Sequence, residues 1–128
     1  MSVETREVKG VLIIHPNFTR VTAVSGVEEF RDTMERSVER GHLAIAVDLA
    51  GVEYADSTMI GALISTFKKL SRQNGLMCLF NVGSELHEFF RQTVFDRFVE
   101  ICRDEQSALE LFGDRPKSTR KGLRRLFS

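Results

Sequence analysis

Two patterns alternate along most of this chain, a short apolar run and a longer amphipathic run, and this alternation constrains the fold more than any other feature. Residues 43–49, LAIAVDL, are almost continuously apolar or small, which is typical of a central strand covered on both faces of a sheet. In residues 57–72 the apolar side chains recur at helical spacing, with cations near the C-terminal end, where they suit the helix dipole. The predicted inward face of this helix consists of Ile60, Leu63, Ile64, Phe67 and Leu70.

Two further strands and two further helices continue the alternation toward the C-terminus. The sequence predicts a strand at residues 76–82, a helix from Ser84, a short strand at residues 98–102 and a last helix at residues 104–112. Strands that alternate with helices predict parallel crossovers and an α/β sheet. The apolar stripe of the helix from Ser84 consists of Leu86, Phe89, Phe90 and Val94.

The N-terminal part adds two strands and one helix. Residues 3–8 and 11–14 are strand candidates separated by Lys9-Gly10, which suits a tight turn, and the polar character of the first predicts a sheet edge. Ser25-Gly26-Val27-Glu28 has the spacing of a capping box and predicts a helix start, and Gly41 suits the cap at the helix end. The predicted order is β-β-α-β-α-β-α-β-α, one domain with a mixed central sheet of four to five strands and four helices.

The size and charge of the chain indicate one folded domain followed by a basic tail. The chain has 128 residues and is 42% hydrophobic, which suffices for one core. Residues 1–113 contain 12 Lys or Arg and 17 Asp or Glu, whereas residues 114–128 contain six and one. We expect the domain to comprise residues 1–113. The tail has two interpretations: a basic amphipathic segment that contacts an acidic partner, a membrane surface or RNA, or a solvated extension.

No set of residues for catalysis or metal binding assembles from the sequence. The three histidines lie in different segments, and Cys78 and Cys102 stand in apolar runs without metal-ligand or disulfide spacing. No glycine-rich phosphate-binding loop is present. We therefore expect no enzymatic activity, no cofactor and no metal. The N-terminus does not resemble a leader, and no apolar run reaches the roughly 20 residues of a membrane helix, which predicts a cytoplasmic protein without a membrane span.

Asp56-Ser57-Thr58 lies at the start of the predicted helix at residues 57–72 and is the candidate functional site. A single N-cap, Asp56 or Ser57, accounts for one of these three residues. The remaining hydroxyls lie near the carboxyl end of a strand, where α/β sheets carry their sites. Because a helix N-terminus offers free backbone N–H groups and partial positive charge, a phosphate on Ser57 or Thr58 would be favourably placed.

These residues, in this order of elements, resemble the STAS domain, the fold of sulphate transporters and anti-sigma factor antagonists. Residues 47–75, VDLAGVEYADSTMIGALISTFKKLSRQNG, look like the family's strand, its Asp-Ser-Ser/Thr-Gly-Leu-Gly site and its helix. Residues 79–112, LFNVGSELHEFFRQTVFDRFVEICRDEQSALELF, have the family's spacing of the later elements. The resemblance covers about residues 3–113 and is strongest to the stand-alone bacterial anti-sigma factor antagonists.

The resemblance implies a regulatory switch with no catalysis of its own. In the family, an anti-sigma factor that is also a serine kinase of GHKL type phosphorylates the motif serine, and a metal-dependent phosphatase of PP2C type removes the phosphate. The unphosphorylated form binds the kinase and frees the sigma factor; direct DNA binding is not expected. By position the phosphoacceptor is Ser57, and Thr58 is the second choice. The residues implied in partner binding are Asp56, Ser57, Thr58, Met59 and Thr22.

Two places depart from the family pattern. Met59 stands where the family usually has glycine, and we expect its flexible apolar side chain to be exposed for a partner; the alternative is that it folds back on the core. The second departure is the loop at residues 15–26, HPNFTRVTAVSG, which has no acid where the family has one that helps the kinase. Thr22 lies near that place.

Two other functions remain open from the sequence. One is a constitutive STAS subunit that binds the ATPase of a lipid ABC transporter through the same loop and helix face. The other is a small-ligand or nucleotide sensor that uses the helix N-terminus as an anion site.

Overall fold

The computed structural model describes residues 2–93 and 97–113. Its strands are β1 (Ser2–Val8), β2 (Val11–Asn17), β3 (Arg20–Val21), β4 (Ala44–Asp48), β5 (Tyr54–Ala55), β6 (Leu76–Phe80) and β7 (Glu100–Cys102). Its helices are α1 (Val27–Glu39), α2 (Ser57–Arg72), α3 (Ser84–Arg91) and α4 (Glu105–Gly113).

Five of the strands form one mixed sheet in the order β1-β2-β4-β6-β7. β1 pairs with β2 in the antiparallel direction, and the other neighbours are parallel. The predicted α/β fold with a mixed central sheet and four helices is confirmed, and β1 lies at the sheet edge as its polar sequence indicates. A second, two-stranded parallel sheet of β3 and β5 was not predicted.

The two faces of the sheet carry two apolar clusters, and β4 contributes to both. Ile45 and Val47 belong to the larger cluster with α1, α2 and α3. Ala44 and Ala46 face the smaller cluster, which α4 covers. Because both faces of β4 are covered, its sequence is apolar without alternation, as the prediction of a central strand required.

The predicted capping box at the start of α1 is wrong, although the helix does begin there. Gly26 is the N-cap at φ 81°, and no side chain caps the helix. The Ser25 hydroxyl instead donates to the Arg20 carbonyl at 3.2 Å. Glycine adopts this left-handed conformation without strain, so the chain enters α1 through a backbone turn. A side chain at this position would also have no room, because the Phe18 ring lies 3.0 Å from an ideal Cβ at Gly26. At the other end, Gly41 has φ 94° and its N–H donates to the Val38 carbonyl, as predicted.

The inward face of α2 is rotated from the predicted one. Leu63 and Leu70 are buried as expected, but Ile60, Ile64 and Phe67 are only partly buried. Phe67 lies at the helix flank, where its ring centroid is 6.1 Å from that of Phe98. The residues of α2 that the domain buries fully are Met59, Ala62, Leu63, Thr66 and Leu70.

Two predictions fall on residues that the structure does not describe. Val94, the last residue of the predicted stripe of α3, and the basic tail at residues 114–128 lie outside the described ranges. Within those ranges, no helix combines the length and the apolar character that crossing a membrane requires.

Candidate functional site

The small sheet of β3 and β5 brings two loops together at one end. Arg20 pairs with Tyr54 and Val21 with Ala55. Val21 and Ala55 are buried and hold this sheet on the core, while the Arg20 guanidinium lies 4.3 Å from the centre of the exposed Tyr54 ring. Because the strands are parallel, the loop into α1 and the loop into α2 leave the sheet side by side.

Asp56 is the N-cap of α2, one of the two alternatives that the sequence left open. Its Oδ1 accepts the Thr58 N–H at 3.0 Å and also the Thr58 hydroxyl. Its Oδ2 accepts the Ala23 N–H at 3.1 Å. One carboxylate therefore caps α2 and also holds the loop that leads into α1.

The same hydrogen bonds stabilise the ionised form of Asp56. The pKa of this carboxyl lies below its ordinary value, mainly because the Thr58 hydroxyl donates to it, with backbone N–H groups of Ala23, Thr58 and Met59 adding to the effect. Partial desolvation acts in the opposite direction and is outweighed. The site therefore carries a fixed negative charge at neutral pH.

Ser57 and Thr58 differ in what their hydroxyls can do. Ser57 is exposed in the first turn of α2, and its hydroxyl bonds to no other residue that the structure describes. Thr58 is partly buried, and its hydroxyl donates to Asp56. Of the two hydroxyls, the one on Ser57 is accessible to an incoming reagent.

Met59 does not lie where the sequence analysis expected it. Its side chain is 0% exposed and belongs to the larger core cluster, so the expected exposure to a partner is wrong. The physical reason is the helix phase: with Ser57 pointing outward, the residue two positions later turns toward the sheet. Met59 therefore anchors the first turn of α2 in the core.

Thr22 lies in the turn beside Asp56, but its side chain is only 6% exposed. The Thr22 and Ser25 backbones exchange two hydrogen bonds, at 2.7 and 2.9 Å, which close a tight turn. The accessible side chains of this turn are those of Ala23 and Val24, and Val24 is 97% exposed. Val24 was not among the predicted site residues, although an isolated apolar residue directly before Ser-Gly has no position in a periodic core pattern.

Gly61 extends the accessible surface along α2. It lies one helical turn beyond Ser57, is exposed, and has nothing within 4 Å of an ideal Cβ. A glycine inside a helix is unfavourable, and no packing contact in the described structure requires one here. The backbone of α2 is thus open to close approach next to Ser57.

Metal-ligating side chains and the two cysteines are the other groups whose chemistry the described residues allow to be checked. They contain no group of three or more His, Cys, Asp or Glu side chains that could hold a metal ion. Burial raises the pKa of the Cys78 thiol well above its ordinary range and also raises that of Cys102. Both thiols therefore stay protonated at neutral pH.

The fold and the hydroxyls that follow the Asp56 cap at the start of α2 define a class of domain. Comparison with known proteins identifies this class. The sequence pattern of the STAS domain matches residues 2–108, and the chain belongs to the STAS domain family. It is also similar to the anti-sigma-B factor antagonist of Listeria monocytogenes, with 30% identity over 59 residues, which are 46% of this chain and 52% of the relative. The chain thus spans about half the length of the curated relatives it matches.

Solved structures share the fold over most of the chain. An anti-sigma-factor antagonist (STAS) domain protein from Planctomyces limnophilus superposes with a TM-score of 0.77 at 23% identity, covering 87% of this chain and 98% of that protein. The Bacillus cell fate determinant SpoIIAA in its phosphorylated form superposes with a TM-score of 0.66 at 14% identity, covering 86% and 99%. At these identities the similarity establishes the fold.

Proposed function

We propose that this protein is an anti-sigma factor antagonist, a non-catalytic regulator that binds an anti-sigma factor with serine kinase activity and is switched by phosphorylation of Ser57. The observation that carries the proposal is the difference in hydrogen bonding and exposure between the Ser57 and Thr58 hydroxyls. Thr58 is committed to Asp56, whereas Ser57 is exposed and without a partner in the described structure. The relatives named as anti-sigma factor antagonists support the assignment of the partner class.

A phosphate on Ser57 changes the surface without unfolding the domain. It adds about 1.5 to 2 negative charges at a helix N-terminus, where anions are stabilised. The core contacts of the first turn are made by Met59, on the opposite side of the helix. Asp56 is already ionised, so the modified site concentrates negative charge. A partner that packs on the neutral Ser57 hydroxyl would have to bury the added charge without a counter-charge, which weakens its binding.

The kinase that modifies Ser57 must supply its own base. The loop at residues 15–26 has no acid, and the turn beside Ser57 presents Ala23 and the exposed Val24. The neighbouring carboxylate, Asp56, is engaged by Thr58 and Ala23. A GHKL-type kinase that supplies the base would meet this requirement, and a PP2C-type phosphatase would reset the switch.

Affinity purification of the full chain from its own host, followed by binding measurements with the recovered partner, tests this proposal. Ser57→Asp should weaken binding at least about 100-fold, because a carboxylate buried against a surface that packs on a neutral hydroxyl loses its hydration without gaining a counter-charge. Ser57→Ala should bind like the wild type, and Thr58→Ser serves as the matched control, since it keeps the hydroxyl that bonds to Asp56.

Two results would contradict the proposal. One is repeated purification without an ATP-binding kinase among the partners. The other is recovery of a transport ATPase with no phosphate on Ser57, which would favour the alternative of an ABC transporter subunit.

A further inference from the structure

A groove runs along α1 from Glu28 to Arg36, beside the turn that carries Val24. Its volume is about 480 Å³. It combines an apolar part with carboxylates on one helix, and Arg36 lies at its far end. The residues that matter for its chemistry are Phe18, Val24, Glu28, Glu29 and Asp32.

Two of these carboxylates have no partner in the described structure. Glu28 and Asp32 are exposed and lie four residues apart on α1, and neither forms a hydrogen bond or ion pair with another described residue. Glu29, in contrast, accepts the Val3 N–H at 2.6 Å. Like charges at this helical spacing repel, and Asp32 lies beyond the first turn, where the helix dipole no longer stabilises an acid. Arg36 lines the same groove four residues beyond Asp32 but forms no ion pair with it. The pair is therefore open to a cationic ligand.

This chain contains a segment of complementary composition. Residues 114–128 carry six Lys or Arg and one Asp, against an excess of acids in residues 1–113. Apolar residues are interspersed among the basic ones of that segment, since Leu123, Leu126 and Phe127 stand near Arg120, Lys121, Arg124 and Arg125. We propose that residues 114–128 dock in the α1 groove, with basic side chains at Glu28 and Asp32 and apolar side chains at Phe18 and Val24.

The length of the segment permits this contact within one molecule. α4 ends at Gly113 and packs on the face of the sheet opposite α1. The 15 residues beyond it span at most about 50 Å when extended. A domain of this size has a radius of gyration of about 13 Å, so the segment can pass round the sheet to α1.

Docking in this groove would bring the tail to the candidate site. Ala23 lines the groove and donates its N–H to Asp56, so an occupant of the groove lies beside the start of α2. The tail would cover Val24, the most exposed large apolar side chain among the described residues. It would thereby compete with any partner that binds this surface, whatever that partner is.

Carbodiimide crosslinking of the full chain, with peptide mapping by mass spectrometry, tests the proposal without a partner. We expect Lys117 or Lys121 to become joined to Glu28 or Asp32 within single molecules, at a yield independent of protein concentration. The yield should fall about tenfold at high salt, where screening shortens the range of charge interactions. Arg124→Gln with Arg125→Gln should give a similar loss, and the matched control Lys68→Gln with Arg72→Gln should not.

A second measurement follows the groove directly. The backbone amide signals of Ala23 and Val24 should shift between the wild type and the Arg124→Gln, Arg125→Gln variant, and stay in place in the control. The proposal is overturned if the tail lysines join Glu53 and Glu85, which line a separate groove of about 280 Å³, as often as Glu28 and Asp32. It is equally overturned if crosslinks form only between chains, or if the tail binds anionic vesicles while the Ala23 and Val24 signals do not respond to its charge.

Discussion

The starts of α1 and α2 lie side by side on the same small sheet, yet they are built in different ways. α2 has an acidic side-chain cap, Asp56, and a buried anchor, Met59. α1 has a glycine cap without a side-chain hydrogen bond and is preceded by a turn that exposes Val24. The Asp56 carboxylate joins the two starts through the Ala23 N–H.

The difference shows how a helix start that is capped and anchored in the core can leave one hydroxyl exposed. At α2, the Asp56 side chain accepts a backbone N–H and the Met59 side chain fills the core. Ser57 lies between them and makes neither contact. At α1, backbone bonds close the turn, and the side chains beside it are left at the surface. The accessible surface of the site therefore combines a hydroxyl fixed by α2 with an apolar side chain held by the turn.

The largest expected effect separates the buried anchor from the exposed apolar residue. Met59→Ala should lower the free energy of unfolding by about 2–5 kcal/mol, because it leaves a cavity in the core. Val24→Ala should change it by less than about 0.5 kcal/mol, since the side chain is in solvent. Urea denaturation of both variants measures this, and equal losses would remove the contrast between the two helix starts.

The next effect concerns the two predicted caps. Asp56→Ala should cost about 1 kcal/mol, as for other N-caps. Ser25→Ala should cost no more than about 0.5 kcal/mol, because the Ser25 hydroxyl only meets a carbonyl at the surface and does not cap α1. Thermal unfolding of the pair decides the question: a larger loss for Ser25→Ala would mean that α1 is capped as the sequence pattern predicted.

A smaller effect of opposite sign is expected at Gly61. Gly61→Ala should raise the free energy of unfolding by about 0.5–1 kcal/mol, because the new methyl group meets nothing and the helix gains propensity. Gly75→Ala is the matched control and should be destabilising, since its Cβ would lie 2.7 Å from the Leu43 carbonyl oxygen. If Gly61→Ala stabilises the domain yet weakens the proposed partner complex, the glycine serves the interface. Unchanged partner binding would exclude that role.

The smallest effect is the pH dependence that Asp56 contributes. Its pKa is lowered by folding, so its contribution to stability is present above the pKa of the unfolded chain and is lost as the pH falls through the folded value. Wild-type stability should therefore decline more steeply than that of Asp56→Asn between about pH 5 and about pH 3. The variant Asp104→Asn should show the same reduced loss of stability in acid, because hydrogen bonds from Ser107 lower the pKa of Asp104. If the free energy of unfolding falls equally with pH in acid for the wild type and Asp56→Asn, the Thr58 hydrogen bonds do not favour the ionised form.

Much of the fold was readable from the sequence, because a strand covered on both faces leaves a continuous apolar run. β4 and β6 are of this kind, and each lies within a residue or two of its predicted bounds. β3 and β5 were not readable, because two residues each are too few for any periodicity. Without these two strands, nothing in the sequence places the Thr22–Ser25 turn against Asp56.

The candidate site was only partly predictable, for a reason visible on α2. The small or polar residues Ala62 and Thr66 face the sheet, but they add little to a hydrophobic pattern. Ile60 and Ile64 lie at the flank of the helix and dominate that pattern. The predicted inward face was therefore rotated toward them, and Met59 was predicted to be exposed. The sequence identified Asp56, Ser57 and Thr58 as a group; which hydroxyl is committed and which is accessible depends on hydrogen bonds that no spacing rule contains.

The central claim is that the accessible hydroxyl of Ser57 is the switch and the committed hydroxyl of Thr58 is not. Phosphopeptide mapping of the native full chain, purified from its host with and without its bound partners, tests this most directly. We predict phosphate on Ser57 in the partner-free fraction and no phosphate on either residue in the kinase-bound fraction. Phosphate on Thr58 with Ser57 unmodified, or phosphorylated Ser57 in the kinase-bound fraction, would contradict it.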